Sequence, residues 1–218
     1  MGVLATDMIG IFGGTFDPIH YGHLRPALEV CEALGLREMR MLPSSLPPHR
    51  DTPHAGAAQR LAMLRLALEG QSSLVADTRE LEREGPSYMV DTLISLRSEV
   101  GDEPLCLVLG ADAYLTLESW HRWRELPELA HLVVAHRPGW RLEESAPALR
   151  ELFDGRRVQS PAELAARSAG LMWLQPVTQL DISATRIRRL IAEGRSPRYL
   201  LPDSVLDYIR AQGLYSHC

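Results

Sequence analysis

No lysine occurs in this chain of 218 residues; all 23 of its basic side chains are arginine. That absence excludes several chemistries. A phosphate-binding loop closed by lysine, a Schiff-base lysine and the strand lysine of protein kinases all need an amine that is missing here. Phosphate charge must be met by arginine, histidine, backbone N–H groups or a metal. Cysteine is also scarce. Cys31, Cys106 and Cys218 are odd in number and far apart, without a CxxC spacing. Neither a zinc knuckle nor a disulfide framework is supported, and Cys31 and Cys106, in apolar runs, are expected as buried small hydrophobes. No apolar run approaches the roughly 18 residues a membrane helix needs, and the N-terminus lacks a secretory pattern. A soluble, cytoplasmic protein with no membrane partner is expected. The net charge of −5 argues against a broad nucleic-acid surface, so any polyanion site must be local.

What the chain does have is concentrated in residues 10–23, GIFGGTFDPIHYGH. Residues 8–12 are an apolar run that reads as a buried strand. Gly13, Gly14 and Thr15 follow at once, and His20 and His23 open an amphipathic run over residues 24–34. Strand, glycine turn and helix start in that order make an anion site. Glycine lets the backbone approach a ligand, and the helix start offers unpaired N–H groups and a positive dipole end. Two imidazoles three residues apart lie on one helix face, where each can donate to a phosphate oxygen and carry charge near neutral pH. A bare HxxH pair is more often structural; its place after the glycine turn is what singles it out.

The rest of the chain alternates strands and helices. Residues 38–43, 74–77, 105–109, 131–135 and 171–174 read as strands. Helices are expected over 57–68, stopped near Gly70, and over 89–100, capped by Ser87 and ended by Gly101. Residues 80–86 read as a charged turn, and 43–50, PSSLPPHR, as a proline loop. One or two outer helices are expected in 140–170, where the sequence is least informative. Asp181 or Ser183 caps a helix ending at Gly194, residues 199–202 form an extended turn, and a last helix spans 204–212. The pattern is that of a parallel sheet covered on both faces, in a single domain over 1–218 whose C-terminal helical part, about 181–218, packs on the sheet. Asp112, just past the 105–109 strand and Gly110, stands where open α/β sheets place ligand contacts.

GGTFDPIHYGH resembles the T/H-x-G-H signature of nucleotidylyltransferases, and most closely that of bacterial nicotinate mononucleotide adenylyltransferases. The resemblance implies a Rossmann-like, doubly wound α/β fold of the HxGH nucleotidylyltransferase type. It extends over nearly the whole chain. ISATRIR, residues 182–188, resembles the family's second signature ISSTxxR, with Ala184 where serine is usual. On their own these residues would be read as helix capping and a solvated face. Beside the first motif they imply a second phosphate cradle, formed by Ser183, Thr185 and Arg188. PPHR, with Pro48, His49 and Arg50, resembles a loop that closes over the acceptor. GPSYMVDTL, with Ser87 and Met89, and GADAYLTLESWHRW, with Gly110, Asp112, Trp120 and His121, match further family stretches, although Met89 replaces the usual threonine. By resemblance, Asp112 binds a ribose hydroxyl and Trp120 stacks on the pyridine ring. The backbone N–H groups of Met89 and His121 hold the nicotinate carboxylate, and Arg137 belongs to a turn near ATP.

The expected reaction joins ATP and nicotinate mononucleotide to give nicotinate adenine dinucleotide and pyrophosphate. His20, His23 and Arg188 would carry catalysis. Gly13, Gly14, Thr15, Phe16, Gly110, Asp112, Arg137, Ser183 and Thr185 would bind ATP and its phosphates. Pro48, His49, Arg50, Ser87, Met89, Trp120 and His121 would bind the mononucleotide. Magnesium would be held through the ATP phosphates, with no protein metal cage. No nucleic-acid partner is expected, and a homodimer is compatible with the sequence. The missing lysine excludes the lysine-rich loop of class I aminoacyl-tRNA synthetases, which share a similar two-histidine motif. Pantetheine-phosphate adenylyltransferases share the first motif but are shorter and lack the tryptophan segment. Three alternatives stay open at this point: a transferase of that pantetheine-phosphate kind, preference for the amidated mononucleotide, and a nucleotide-binding sensor without turnover.

Overall fold

Among the described residues six parallel strands form one sheet in the order β3-β2-β1-β4-β5-β6. They are β1 (Ile9–Gly14), β2 (Glu38–Pro43), β3 (Leu74–Ala76), β4 (Leu105–Gly110), β5 (His131–His136) and β6 (Met172–Pro176). The computed structural model describes residues 7–45, 52–137, 145–178 and 180–216. The fold is Rossmann-like α/β, as the family resemblance implies. β4 shows why the pattern is legible. Its residues Leu105 to Leu109 are all buried, because a central parallel strand is covered on both faces and so reads as an unbroken apolar run. Cys106 and Val108 enter one core, and Leu105, Leu107 and Leu109 enter the other. That division is the period of two that a strand imposes on its side chains.

The connecting helices are α1 (Tyr21–Leu34), α2 (Ala57–Leu68), α3 (Arg79–Glu82), α4 (Met89–Val100), α5 (Ala111–Leu115), α6 (Leu126–Leu129), α7 (Pro147–Phe153) and α8 (Pro161–Ala165). After β6 come α9 (Ala184–Ala192) and α10 (Asp203–Ala211), the latter packed against α2. The chain leaves β1 toward β2 and β3 on one side, then crosses to β4 on the other. Connections therefore diverge between the C-terminal ends of β1 and β4, and an open parallel sheet has its ligand crevice at such a switch point. Gly14 ends β1 and Gly110 ends β4, so both glycine-bearing motifs stand at that crevice.

Several expectations change. Residues 79–82 form a short helix with Glu80 buried, rather than a charged turn. The cap of α4 is Tyr88, not Ser87. The turn expected at 199–202 is present, with Tyr199 at φ +69. Cys31 and Cys106 are free and buried, and burial pushes the Cys106 thiol up to about 12. Among the described residues no helix is long and apolar enough to cross a membrane.

Candidate active site

The turn after β1 is tightly built. A Cβ on Gly14 would stand 2.6 Å from the Phe16 ring, so the motif needs glycine there for close approach. Phe16 itself sits at φ +50 with its ring buried. Asp17 follows, only 4 % exposed, and gathers donors from distant parts of the chain. Tyr215 donates its hydroxyl to Asp17 Oδ1 at 2.7 Å, Ala55 N–H donates to the same oxygen at 3.1 Å, and His54 N–H donates to Oδ2 at 2.8 Å. The Arg60 guanidinium, 1 % exposed, donates to the carbonyls of Thr15 (2.8 Å), Ala55 (3.2 Å) and Ser45 (3.4 Å). The loop between β1 and α1 is thus braced by α2 and by the end of the chain.

His20 is the N-cap of α1, with φ −153 and ψ 170, and its side chain makes no capping bond. Its ring stacks on His23 at 3.8 Å between centroids, and His23 meets Phe16 edge-on at 5.2 Å. Both imidazoles face the same way, as the three-residue spacing predicts. The charge expected at His20 is not there, however. Burial holds its pKa down at about 4, so the free protein carries a neutral imidazole at pH 7. His20 Nδ1 is buried and has no hydrogen-bond partner among the described residues. A neutral imidazole still donates one N–H, and a phosphate brought beside it would favour the charged form. Gly22 lies between the pair for a steric reason. A Cβ there would be 2.9 Å from His20 Nδ1 and 3.1 Å from the Ile182 carbonyl.

That contact with Ile182 places the start of α9 against the start of α1. Ser183 caps α9, accepting from the Arg186 N–H at 3.2 Å, as expected of a serine at that position. Arg188, one turn in, donates from Nη1 to the Asp17 carbonyl at 2.7 Å and lies 3.8 Å from Asp17 Oδ2. Its Nη2 donates to Thr185 Oγ1 at 3.4 Å. Asp17 is three residues from His20, so the second motif's guanidinium is anchored on the first motif's loop.

Beside this junction lies a cavity of ≈ 380 Å³. Gly13, Gly14, Thr15, Ser87, Met89, Trp120 and His121 are among the residues that line it. The Tyr88 and His121 rings pack at 4.3 Å. Met89 is the first residue of α4, a helix with no side-chain cap, so its N–H is among the donors left over at a helix start. Ser87 Oγ is engaged elsewhere, accepting from the Ser45 N–H at 2.9 Å. Gly110 caps α5, and Asp112 is exposed in the first turn of that helix. Arg137 is exposed just past β5, and neither Asp112 nor Arg137 lines the cavity. Pro48, His49 and Arg50 lie outside the described residues. Among the described residues no group of three or more His, Cys, Asp or Glu side chains is gathered to hold a metal ion.

Sequence reasoning passed over Asp17, Arg60, Tyr215 and Glu80. Arg60 had a readable signal. It shares the buried stripe of α2 with Met63, Leu64 and Leu68, and a charge on an apolar stripe must find partners inside. Tyr215 had none, since its partner is 198 positions away.

The cytidylyltransferase-like family model matches residues 11–190. A protein of Methylococcus capsulatus named "Probable nicotinate-nucleotide adenylyltransferase" is 55% identical over 210 residues, 96% of this chain and 100% of that relative. One of the same name from Aeromonas hydrophila is 53% identical over 207 residues, 95% of this chain and 96% of the relative. Among solved structures, the Plasmodium falciparum nicotinic acid mononucleotide adenylyltransferase complexed with NaAD superposes with a TM-score of 0.73 at 16% identity. The match covers 97% of this chain and 98% of that one, and it shows the shared fold.

Proposed function

This chain belongs to the cytidylyltransferase-like family and, within it, to the nicotinate-nucleotide adenylyltransferases, and from that premise we propose how it works. It transfers the adenylyl group of ATP to nicotinate mononucleotide, giving nicotinate adenine dinucleotide and pyrophosphate. A phosphate oxygen of the mononucleotide attacks the α-phosphorus of ATP. The bond from that phosphorus to the bridging oxygen breaks, and pyrophosphate leaves with the electron pair. The nucleophile arrives with the substrate, so no protein nucleophile is needed. The protein must bring two polyanions together and offset the charge on the transferring and leaving groups.

The observation that carries this reading is the meeting of two helix starts over residues 17–23, with the cavity alongside. His20 and His23 donate to the phosphates from one helix mouth. Ser183, Thr185 and Arg188 supply a hydroxyl-rich cationic cradle from the other. Magnesium would enter with ATP, offsetting part of the triphosphate charge and needing few protein ligands. The pyridine end of the mononucleotide occupies the cavity, its ring against Trp120 and its carboxylate toward the N–H groups of Met89 and His121.

The test is a product assay on the purified chain with ATP, magnesium and either mononucleotide. Nicotinate adenine dinucleotide and pyrophosphate are expected in equal amounts, with the acid used in preference to the amide. A folded protein that releases no pyrophosphate from the acid substrate contradicts the assignment.

A further inference from the structure

One buried carboxyl group is not explained by the reaction. Glu80, on α3, is 4 % exposed yet lines the cavity. Among the described residues lining that cavity it is the sole acid, in a place read as receiving a carboxylate. Its Oε1 accepts from Thr92 Oγ1, within α4, at 2.8 Å. The Ser87 hydroxyl also acts to lower the Glu80 pKa, and Ser87 Oγ accepts from the Ser45 N–H at 2.9 Å. Arg83 Nη2 adds a donor to Thr92 Oγ1 at 3.3 Å. One carboxyl therefore ties together the exit of β2, the turn before α4 and the first turns of α4. The element so fixed is the uncapped start of α4 at Met89. Burial raises the Glu80 pKa above the ordinary carboxylate value although the two hydroxyls and Arg83 act to lower it, and the shift toward the neutral acid limits its opposition to an incoming anion.

We propose that Glu80 is a positioning residue for acceptor choice: it holds Ser87 and Thr92 so that the Met89 N–H faces the acid group on the acceptor's pyridine ring. It touches no reacting atom. The inference rests on the reading of the cavity as the mononucleotide site.

The experiment compares wild type with Glu80→Ala, Glu80→Gln and Thr92→Val in steady-state kinetics, with thermal unfolding as the control for folding. Each acceptor, acid and amide, is varied at saturating ATP, and ATP is varied at saturating acid. Glu80→Ala is expected to raise KM for the acid by about tenfold or more, with kcat and the KM for ATP within about threefold of wild type. The ratio of kcat/KM between acid and amide should fall by a similar factor. Glu80→Gln keeps an acceptor for Thr92 and should recover part of the loss, and Thr92→Val should show a smaller loss in the same direction. An unchanged KM for the acid, or parallel losses for ATP and acceptor, overturns the proposal. So does a Glu80→Gln variant as impaired as Glu80→Ala. If Glu80→Ala fails to fold, unchanged acid KM in both other variants has the same force. Calorimetric titration of nicotinate mononucleotide into each variant reads the effect without turnover. A wild type that binds the mononucleotide but forms no dinucleotide would therefore defeat the assigned reaction and leave this inference to its own result.

Discussion

The two helix starts that meet over residues 17–23 are built on opposite plans. Around the start of α1 the polar groups are buried, with Asp17 and His20 at 4 % exposure and Arg60 at 1 %. Around the start of α9, Ser183, Thr185 and Arg186 are exposed to solvent, and Arg188 keeps 17 % of its side chain accessible. A buried, braced arrangement holds donors in place before substrate arrives, so little reorganisation is left for the transition state. An exposed one offers charge that a ligand must organise on arrival. Under the proposed mechanism the first plan would serve chemistry at the α-phosphorus, and the second capture of a triphosphate.

The largest effect should follow from the buried side. His20→Ala should lower kcat by about 10²–10⁴ in a protein that still folds. A loss under about tenfold in steady-state assays would count against a catalytic His20. Asp17→Ala leaves three donors without their acceptor, so it should cost about 3 kcal/mol in urea unfolding. A cost below about 1 kcal/mol would show that the bracing of this loop is nominal.

Protonation comes next in size. His20 holds a pKa of about 4 when folded against its ordinary value of 6.5, so the folded state resists taking up a proton that the unfolded chain accepts. The stability this provides is complete above pH 6.5 and is lost as pH falls toward 4. Between pH 7 and pH 5 the loss from this group should be about 2 kcal/mol in chemical unfolding. The His20→Ala variant should show a correspondingly flatter pH dependence over that interval. An equal slope in the two proteins would mean that His20 is not desolvated.

The same contrast explains what could be read from the sequence. β1, its glycine turn and α1 were legible because each signal is local: an apolar run, paired glycines and helical periodicity. Ser183 was legible as a cap for the same reason. Ser87 misled because a serine ahead of a helix is a good local cap, but a distant donor, the Ser45 N–H, took its oxygen. The spacing of His20 and His23 predicted that their rings would meet but could not predict the burial that leaves His20 only 4 % exposed. The network on Asp17 draws on residues 54, 55, 188 and 215, and no window of sequence contains them together.

The most direct measurement is a crossed calorimetric titration of Arg188→Ala and Trp120→Ala, each with a non-hydrolysable ATP analogue plus magnesium and with nicotinate mononucleotide. Arg188→Ala should weaken the ATP analogue by about 10–100-fold and leave the mononucleotide within about threefold, and Trp120→Ala should do the reverse. Equal weakening of both ligands by either variant would contradict a division of labour between the two sides of the site.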